Sequence, residues 1–179
     1  MNQSRRDPLL LVGKGACLVL QVLMTVGAVA LVAGLAGTIF FGPELAAEAG
    51  MEGFPPDFPR GTLAGVMAIG LGIVVSLFFF FGRLRAIIAT VGEGDPFQPQ
   101  NAVRLAQMAW LMLGIQVFFL LAVPLGLELA RYSDEADSVQ VSADSNLDLS
   151  GLLLVVVLFI LARVFRHGAA MREDLEGTV

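Results

Sequence analysis

The fold is decided by an uncharged stretch from Gly61 to Gly82, which reads GTLAGVMAIGLGIVVSLFFFFG. An α-helix rises about 1.5 Å per residue, so roughly 20 apolar residues cross the ~30 Å hydrocarbon core of a bilayer. This stretch is long enough, and three more uncharged runs accompany it. The predicted membrane spans are about residues 16–41, 61–82, 105–127 and 149–165. The last one reaches the required length only if Arg163, Val164 and Phe165 belong to the helix.

The composition of the whole chain agrees with membrane insertion. Hydrophobic residues make up 56% of the 179 residues and charged residues only 15%, whereas a soluble domain carries about 25% charged residues. Spans of this length leave no room for a separate soluble domain. We therefore predict an all-α membrane protein, a four-transmembrane-helix bundle that occupies residues 1–179 as a single domain.

Basic residues are concentrated on alternate connections, which predicts the orientation. Nine of the eleven Lys and Arg residues lie before the first span, between the second and third, or at the end of the fourth. These nine are Arg5, Arg6, Lys14, Arg83, Arg85, Arg104, Arg163, Arg166 and Arg172. Because basic residues favour the cytoplasmic side, we predict that both termini and the middle connection are cytoplasmic.

The two connections on the opposite side are short and acidic. The first contains Phe54-Pro55-Pro56-Asp57-Phe58-Pro59, whose prolines disfavour a long helix. The second alternates apolar residues around Val139 and Val141 and again at Leu147 and Leu149, which allows a small β-hairpin. Such loops either form a cap or ligand surface or serve as a solvated acidic rim, and we favour the rim.

A cleaved signal peptide is the alternative interpretation of the first span. Arg5 and Arg6 would form its basic start, and Ala33 to Ala36 offers small residues for cleavage. The apolar region of a secretory signal is only about 7–15 residues long, and this run is much longer. We therefore expect the span to be retained.

Small residues recur at spacings of three and four in the first two spans. Examples are Gly27, Gly34, Gly65 and Gly72. Small side chains let helix backbones approach closely inside a membrane. We expect this packing to lie within the bundle, and a homo-oligomer seam is the alternative.

The sequence lacks the residue patterns of the common enzyme classes. His167 is the only histidine and Cys17 the only cysteine, so these residues alone cannot form a zinc site. No nucleophile elbow or phosphate-binding loop occurs. The net charge of −5 argues against direct nucleic-acid binding, and the span centres contain no ionisable residue that would mark a transport pathway. We predict a non-enzyme without cofactor or metal.

The middle connection holds the most specific pattern. The second helix is predicted to continue past the membrane and to end at Gly92 and Gly94. Asp95-Pro96-Phe97-Gln98-Pro99 predicts a rigid turn with a projecting aromatic ring, and Asn101 is a good N-cap for the third helix. Phe97 then either contacts a partner or packs under the bundle as a structural plug.

Two segments resemble signatures of a known family. Gly94-Asp95-Pro96-Phe97 is followed by Asn101-Ala102-Val103-Arg104-Leu105, and the chain ends with the segment from Val164 to Val179. Together they resemble domain of unknown function 2975, a bacterial family of uncharacterised four-helix membrane proteins. The chain departs from that family's pattern at His167 and Gly177. The resemblance implies a location in the bacterial inner (cytoplasmic) membrane. It also implies a partner, because such proteins are often encoded beside a small helix-turn-helix regulator of the Xre/Cro type.

Two classes of function follow. In the first, the middle connection and the C-terminal segment bind or sequester the helix-turn-helix regulator. In the second, the protein is a small transport, immunity or membrane-stress protein that acts through its outer loops or lipid. The candidate partner-binding residues for the first class are Asp95, Pro96, Phe97, Asn101, Arg104, Arg166, His167, Arg172, Leu175 and Val179. We expect the segment from Met171 to Val179 to dock onto the connection or onto the partner, and a frayed terminus is the alternative.

Overall fold

The structure, a computed structural model, describes residues 8–40, 59–131 and 148–176. These ranges contain four α-helices and no strand: α1 Pro8–Phe40, α2 Arg60–Gly92, α3 Pro99–Ala130 and α4 Leu149–Glu176. Each helix contains a segment long and apolar enough to cross a membrane. The predicted all-α bundle of four transmembrane helices is therefore confirmed. The acidic outer loops, the predicted hairpin, Val179 and both chain ends lie outside the described residues.

The helices are longer than the membrane spans predicted within them. α2 has 33 residues, so it is about 50 Å long, whereas the hydrocarbon core is only ~30 Å thick. It continues past Gly82 to Gly92, and α4 continues past Phe165 to Glu176. The ends of α2 and α4 that carry basic residues therefore project beyond the hydrocarbon, on the same side as the connection between α2 and α3.

Each helix packs against its neighbour in the chain. Within the described residues, the three extensive interfaces join α1 to α2, α2 to α3 and α3 to α4. In the described ranges α1 and α4 share no comparable interface, so these four helices form an open row rather than a closed ring. Many apolar side chains on the outer faces are exposed, as expected for helices that are surrounded by lipid.

Small residues occupy the helix contacts, as predicted for packing within the bundle. A Cβ atom at Gly34 would lie 2.5 Å from the Met67 side chain, across the α1–α2 interface. One at Gly72 would lie 2.8 Å from the ring of Phe118, across the α2–α3 interface. Gly27 is different, because a Cβ atom there would meet nothing within 4 Å. The small residues at the first two positions therefore allow α1, α2 and α3 to approach closely.

The buried core lies near the end of the bundle where α2 connects to α3. It consists of Leu105, Met108 and Ala109 from α3 with Leu158 and Ala162 from α4. Leu84 and Ile87 of α2 lie three residues apart, on one face of the helix, and pack against it. This packing brings the end of α2, the start of α3 and the C-terminal half of α4 together around the connection.

Candidate interaction surface at the connection between α2 and α3

α2 ends in a Schellman motif. The backbone N–H of Gly94 donates to the carbonyl of Val91, and the N–H of Asp95 donates to the carbonyl of Thr90, each over 3.1 Å. Gly94 has φ +84°, a left-handed conformation that glycine adopts without a steric penalty. The prediction that Gly92 and Gly94 end this helix is confirmed.

Asn101 does not cap α3, so that prediction is wrong. α3 begins at Pro99 with Gln98 at the N-cap position, because proline is well suited to the first helical position. Asn101 instead lies inside the first turn and is fully buried. Its side-chain amide donates to the Thr90 hydroxyl over 2.7 Å and to the Pro96 carbonyl over 2.9 Å. Asn101 therefore ties the connection to the end of α2.

Arg104 extends this hydrogen-bond network by one turn of α3. Its Nη1 atom donates to Oδ1 of Asn101 over 2.8 Å and, more weakly, to the carbonyl of Ala86 over 3.5 Å. The Thr90 hydroxyl in turn donates to the carbonyl of Ile87 over 2.8 Å. The network therefore runs from Arg104 through Asn101 and Thr90 into the backbone of α2. Buried networks of this kind stabilise one geometry when every member has a partner.

Phe97 packs against α4. Its ring centroid lies 5.4 Å from that of Phe165, with the planes tilted by 39°. A Cβ atom added at Gly168 would lie 2.8 Å from the Phe97 ring, so glycine at that position leaves room for the aromatic side chain. Phe97 is nonetheless 44% exposed. The ring thus plugs the gap between the connection and α4 on one side and presents its other side to the surroundings.

An ion pair joins the connection to α4 a second time. The Asp95 carboxylate accepts from the guanidinium of Arg172. Both side chains are partly exposed, so the pair contributes little free energy by itself. It places α4 directly beside the connection, which agrees with the docking expected for the segment that starts at Met171.

The predicted partner-binding residues fall into three groups. Phe97, Arg172 and Leu175 are exposed, and Leu175 is 71% exposed. Asp95, Pro96 and Arg104 are half-buried. Asn101 is fully buried, so a partner would not contact its side chain. Arg166 and His167 are exposed but line a separate groove between α3 and α4. We call the area formed by residues 93–98 and by the α4 residues Phe165, Gly168, Arg172 and Leu175 the loop–tail surface.

Metal-binding geometry does not occur in the part of the chain that the structure describes. There, no group of three or more His, Cys, Asp or Glu side chains could hold a metal ion. Cys17 is buried in α1 as a free thiol. The loop–tail surface offers the aromatic ring of Phe97, the aliphatic side chain of Leu175 and the ion pair of Asp95 with Arg172. Side chains of these kinds are suited to binding a protein.

The connection and α4 both lie in the region that matches a known family. Residues 41–179 match the family described as "Protein of unknown function (DUF2975)". The chain belongs to this family. The match begins after α1, so it includes every residue of the loop–tail surface. No curated protein and no solved structure matches the chain.

Sequence reasoning missed the roles of Thr90 and Gly168 and the pairing of Asp95 with Arg172. Thr90 had no apparent role, because a lone threonine near a helix end is common. Gly168 lies within the C-terminal signature, but its closeness to Phe97 depends on how α4 is rotated. Asp95 and Arg172 are 77 residues apart in the chain, and no local pattern links them. The two family signatures were the available signal, since they contain all of these residues except Thr90.

Proposed function

We propose that this protein is a non-enzymatic inner-membrane protein whose loop–tail surface binds a small cytoplasmic helix-turn-helix transcription regulator. One observation carries the proposal. The two segments with family signatures contact each other, through Phe97 with Phe165 and through Asp95 with Arg172. They therefore form a single surface rather than two unrelated ones. The kind of partner is taken from the family resemblance.

The connection is held in place before any partner arrives. The Schellman motif fixes its first half, and Asn101 holds the Pro96 carbonyl and the Thr90 hydroxyl. Pro96 and Pro99 restrict φ on either side of Phe97. Little conformational freedom remains to be lost on binding, which favours affinity.

The exposed groups have the chemistry of a protein-binding surface. Phe97 supplies an aromatic ring and Leu175 an aliphatic side chain, which are 44% and 71% exposed. Arg172 is also partly exposed and forms an ion pair with Asp95. Aromatic and arginine side chains commonly contribute most to protein interfaces, particularly where a partner removes them from water. A regulator with an apolar patch bordered by charged residues would fit this surface.

Binding alone is sufficient for regulation. A regulator held at the membrane is removed from the population that can occupy its operator, so the two binding equilibria compete. A signal that lowers the regulator's affinity for the loop–tail surface would release the regulator, and by linkage the bound regulator would lower the affinity for that signal by the same factor. No covalent step is required.

The test is co-expression of this protein with a candidate small helix-turn-helix regulator, followed by isolation of membranes and measurement of the regulator that they retain. We expect Phe97→Ala to reduce retention at least tenfold. Phe119→Ala is the matched control, since Phe119 is also about half exposed, at 54%, but lies on α3 far from the connection along the chain. Thermal unfolding in detergent is measured for both variants. Unchanged retention in Phe97→Ala with normal insertion would rule out the loop–tail surface as the binding site.

The alternative is a small transport, immunity or membrane-stress protein that acts through its outer loops or lipid. The outer loops lie outside the described residues. The same co-expression separates the two classes, because a protein of this kind would not retain the regulator at the membrane.

A further inference from the structure

A groove of about 680 Å³ runs between α3 and α4 on the outside of the bundle. Its lining residues come from both helices and include Trp110 on α3 and residues between Phe159 and Ala170 on α4. Trp110, Phe159 and Ala162 form an apolar end, whereas Arg163, Arg166 and His167 form a basic end. From Phe159 to Ala170 the groove follows α4 for about 16 Å at 1.5 Å per residue. It therefore extends along the membrane normal and changes from apolar to basic on the way.

We propose that this groove binds one anionic phospholipid. The lipid phosphate lies against Arg163 and Arg166, and an acyl chain follows the apolar end past Trp110 and Phe159. The site is separate from the loop–tail surface and does not depend on the regulator. It also holds for either orientation of the bundle, because it depends only on the polarity of the groove.

The two arginines are placed to hold a phosphate. They are three residues apart on α4 and therefore lie on the same side of the helix. Both are exposed and line the groove. Neither is paired with a carboxylate within residues 8–40, 59–131 and 148–176. Guanidinium groups bind phosphate oxygens through two parallel hydrogen bonds, so two neighbouring arginines suit one phosphodiester group.

The depth of the groove matches the boundary between hydrocarbon and headgroups. The uncharged run of α4 ends at Ala162, and Arg163 is the first charged residue after it. Trp110 lies opposite, 64% exposed, with its ring 5.4 Å from that of Phe159. Tryptophan favours this interfacial depth, and basic pockets between membrane helices bind anionic lipid headgroups.

Other occupants fit the groove less well. Inorganic phosphate would satisfy the basic end but leave the apolar end, at Trp110 and Phe159, without contacts. A second copy packed symmetrically through the groove would bring Arg163 and Arg166 close to their own equivalents, and like charges across an interface are unfavourable. A phospholipid satisfies both ends with one molecule.

Trp110 is the only tryptophan, so its fluorescence reports on the groove alone. The full chain is purified in a neutral detergent and titrated with phosphatidylglycerol or phosphatidylcholine, each brominated on the acyl chains. Bromine quenches tryptophan on contact. We expect half-quenching at about a tenfold lower mole fraction of phosphatidylglycerol than of phosphatidylcholine, given the usual attraction of two arginines for an anionic lipid.

The matched variants are Arg163→Gln/Arg166→Gln and Arg83→Gln/Arg85→Gln. The second pair removes two exposed basic residues from α2 at the same end of the bundle, away from the groove. The preference for phosphatidylglycerol should disappear in the first variant and persist in the second. Equal quenching by both lipids in the unmodified protein would overturn the proposal, and so would a preference that survives in Arg163→Gln/Arg166→Gln. Relief of quenching by millimolar inorganic phosphate would identify a free-phosphate site and would also overturn it. Thermal unfolding of both variants establishes that they are folded.

Discussion

The side-chain amide of Asn101 donates a hydrogen bond of 2.7 Å to the hydroxyl of Thr90, so the first turn of α3 is joined to the last turns of α2. Asn101 is fully buried; the same Nδ2 also donates to the Pro96 carbonyl, and its Oδ1 accepts from the Arg104 guanidinium. One side chain thus holds the helix before the connection, the connection itself and the helix after it. The position of Phe97 and Asp95 on the surface depends on this buried amide.

Asn101→Leu should destabilise the protein. Leucine is branched at the same carbon but is larger, and it leaves the Pro96 carbonyl and part of the Arg104 guanidinium without partners, which costs about 1–3 kcal/mol for a buried polar group. Thermal unfolding in detergent should therefore occur at a lower temperature. Gln100→Leu is the control, since Gln100 is exposed and accepts only a long contact of 3.4 Å from Arg104. Equal unfolding temperatures for the two variants would show that the network contributes nothing to stability.

A double variant tests whether Asn101 and Thr90 act as a pair. Thr90→Val alone removes the hydroxyl that accepts from Asn101. In Asn101→Leu/Thr90→Val the shared bond can be lost only once, so the double variant should be less destabilised than the sum of the two single variants. Strict additivity in thermal unfolding would contradict a direct interaction between the two side chains.

Gly72 should tolerate a larger side chain much less well than Gly27. A Cβ atom at Gly72 would lie 2.8 Å from the Phe118 ring, whereas one at Gly27 would meet nothing within 4 Å. Gly72→Leu must therefore separate α2 from α3 or displace the ring, at a cost of about 1–3 kcal/mol. Gly27→Leu should be neutral or slightly stabilising, because leucine favours a helix more than glycine does. Thermal unfolding in detergent compares the two, and a larger loss for Gly27→Leu would contradict the α2–α3 packing.

The helices were predictable from the sequence, but their mutual contacts were not. In a bilayer the backbone N–H and C=O groups of a long uncharged run form their hydrogen bonds within a helix, so the run at Gly61–Gly82 predicted α2 directly. The end of α2 was also predictable, because Gly94 needs the conformation that only glycine adopts easily. Asn101 was misjudged because Asn suits both an N-cap and a buried amide. Pro99 was the better signal, since proline marks the first helical position.

The two sites differ in what the sequence revealed. The signature segments predicted that the connection and the C-terminal segment matter, yet the contacts of Phe97 with α4 depend on the rotation of that helix. The α3–α4 groove was not predicted at all. Nothing in the sequence links Arg163 and Arg166 of α4 to Trp110 of α3, because tryptophan and basic residues are each common near the ends of membrane helices. Only the packing of α3 on α4 brings them into one site.

The orientation is tested by cysteine labelling in intact cells and in inverted membrane vesicles. The distribution of basic residues predicts that Ser4→Cys and Thr178→Cys react only in inverted vesicles, and that Asp137→Cys reacts in intact cells. Cys17→Ser provides the background, and Cys17 is buried in any case. The reverse pattern would place the loop–tail surface outside the cytoplasm and would refute the proposed regulator.

A charge exchange between Asp95 and Arg172 is the most direct test of the loop–tail surface. Arg172→Asp places two carboxylates where the ion pair lies, so α4 and the connection should move apart. Because both groups are partly exposed, the loss of stability should be under about 1 kcal/mol. Retention of the co-expressed regulator should nevertheless fall several-fold, because the two halves of the loop–tail surface, the connection and α4, would no longer lie side by side. Asp95→Arg/Arg172→Asp restores opposite charges with their positions exchanged, so retention should recover at least in part. If Arg172→Asp retains the regulator fully, the ion pair does not shape the surface. If the exchanged pair fails to restore retention, Arg172 acts as a direct contact for the regulator rather than through Asp95.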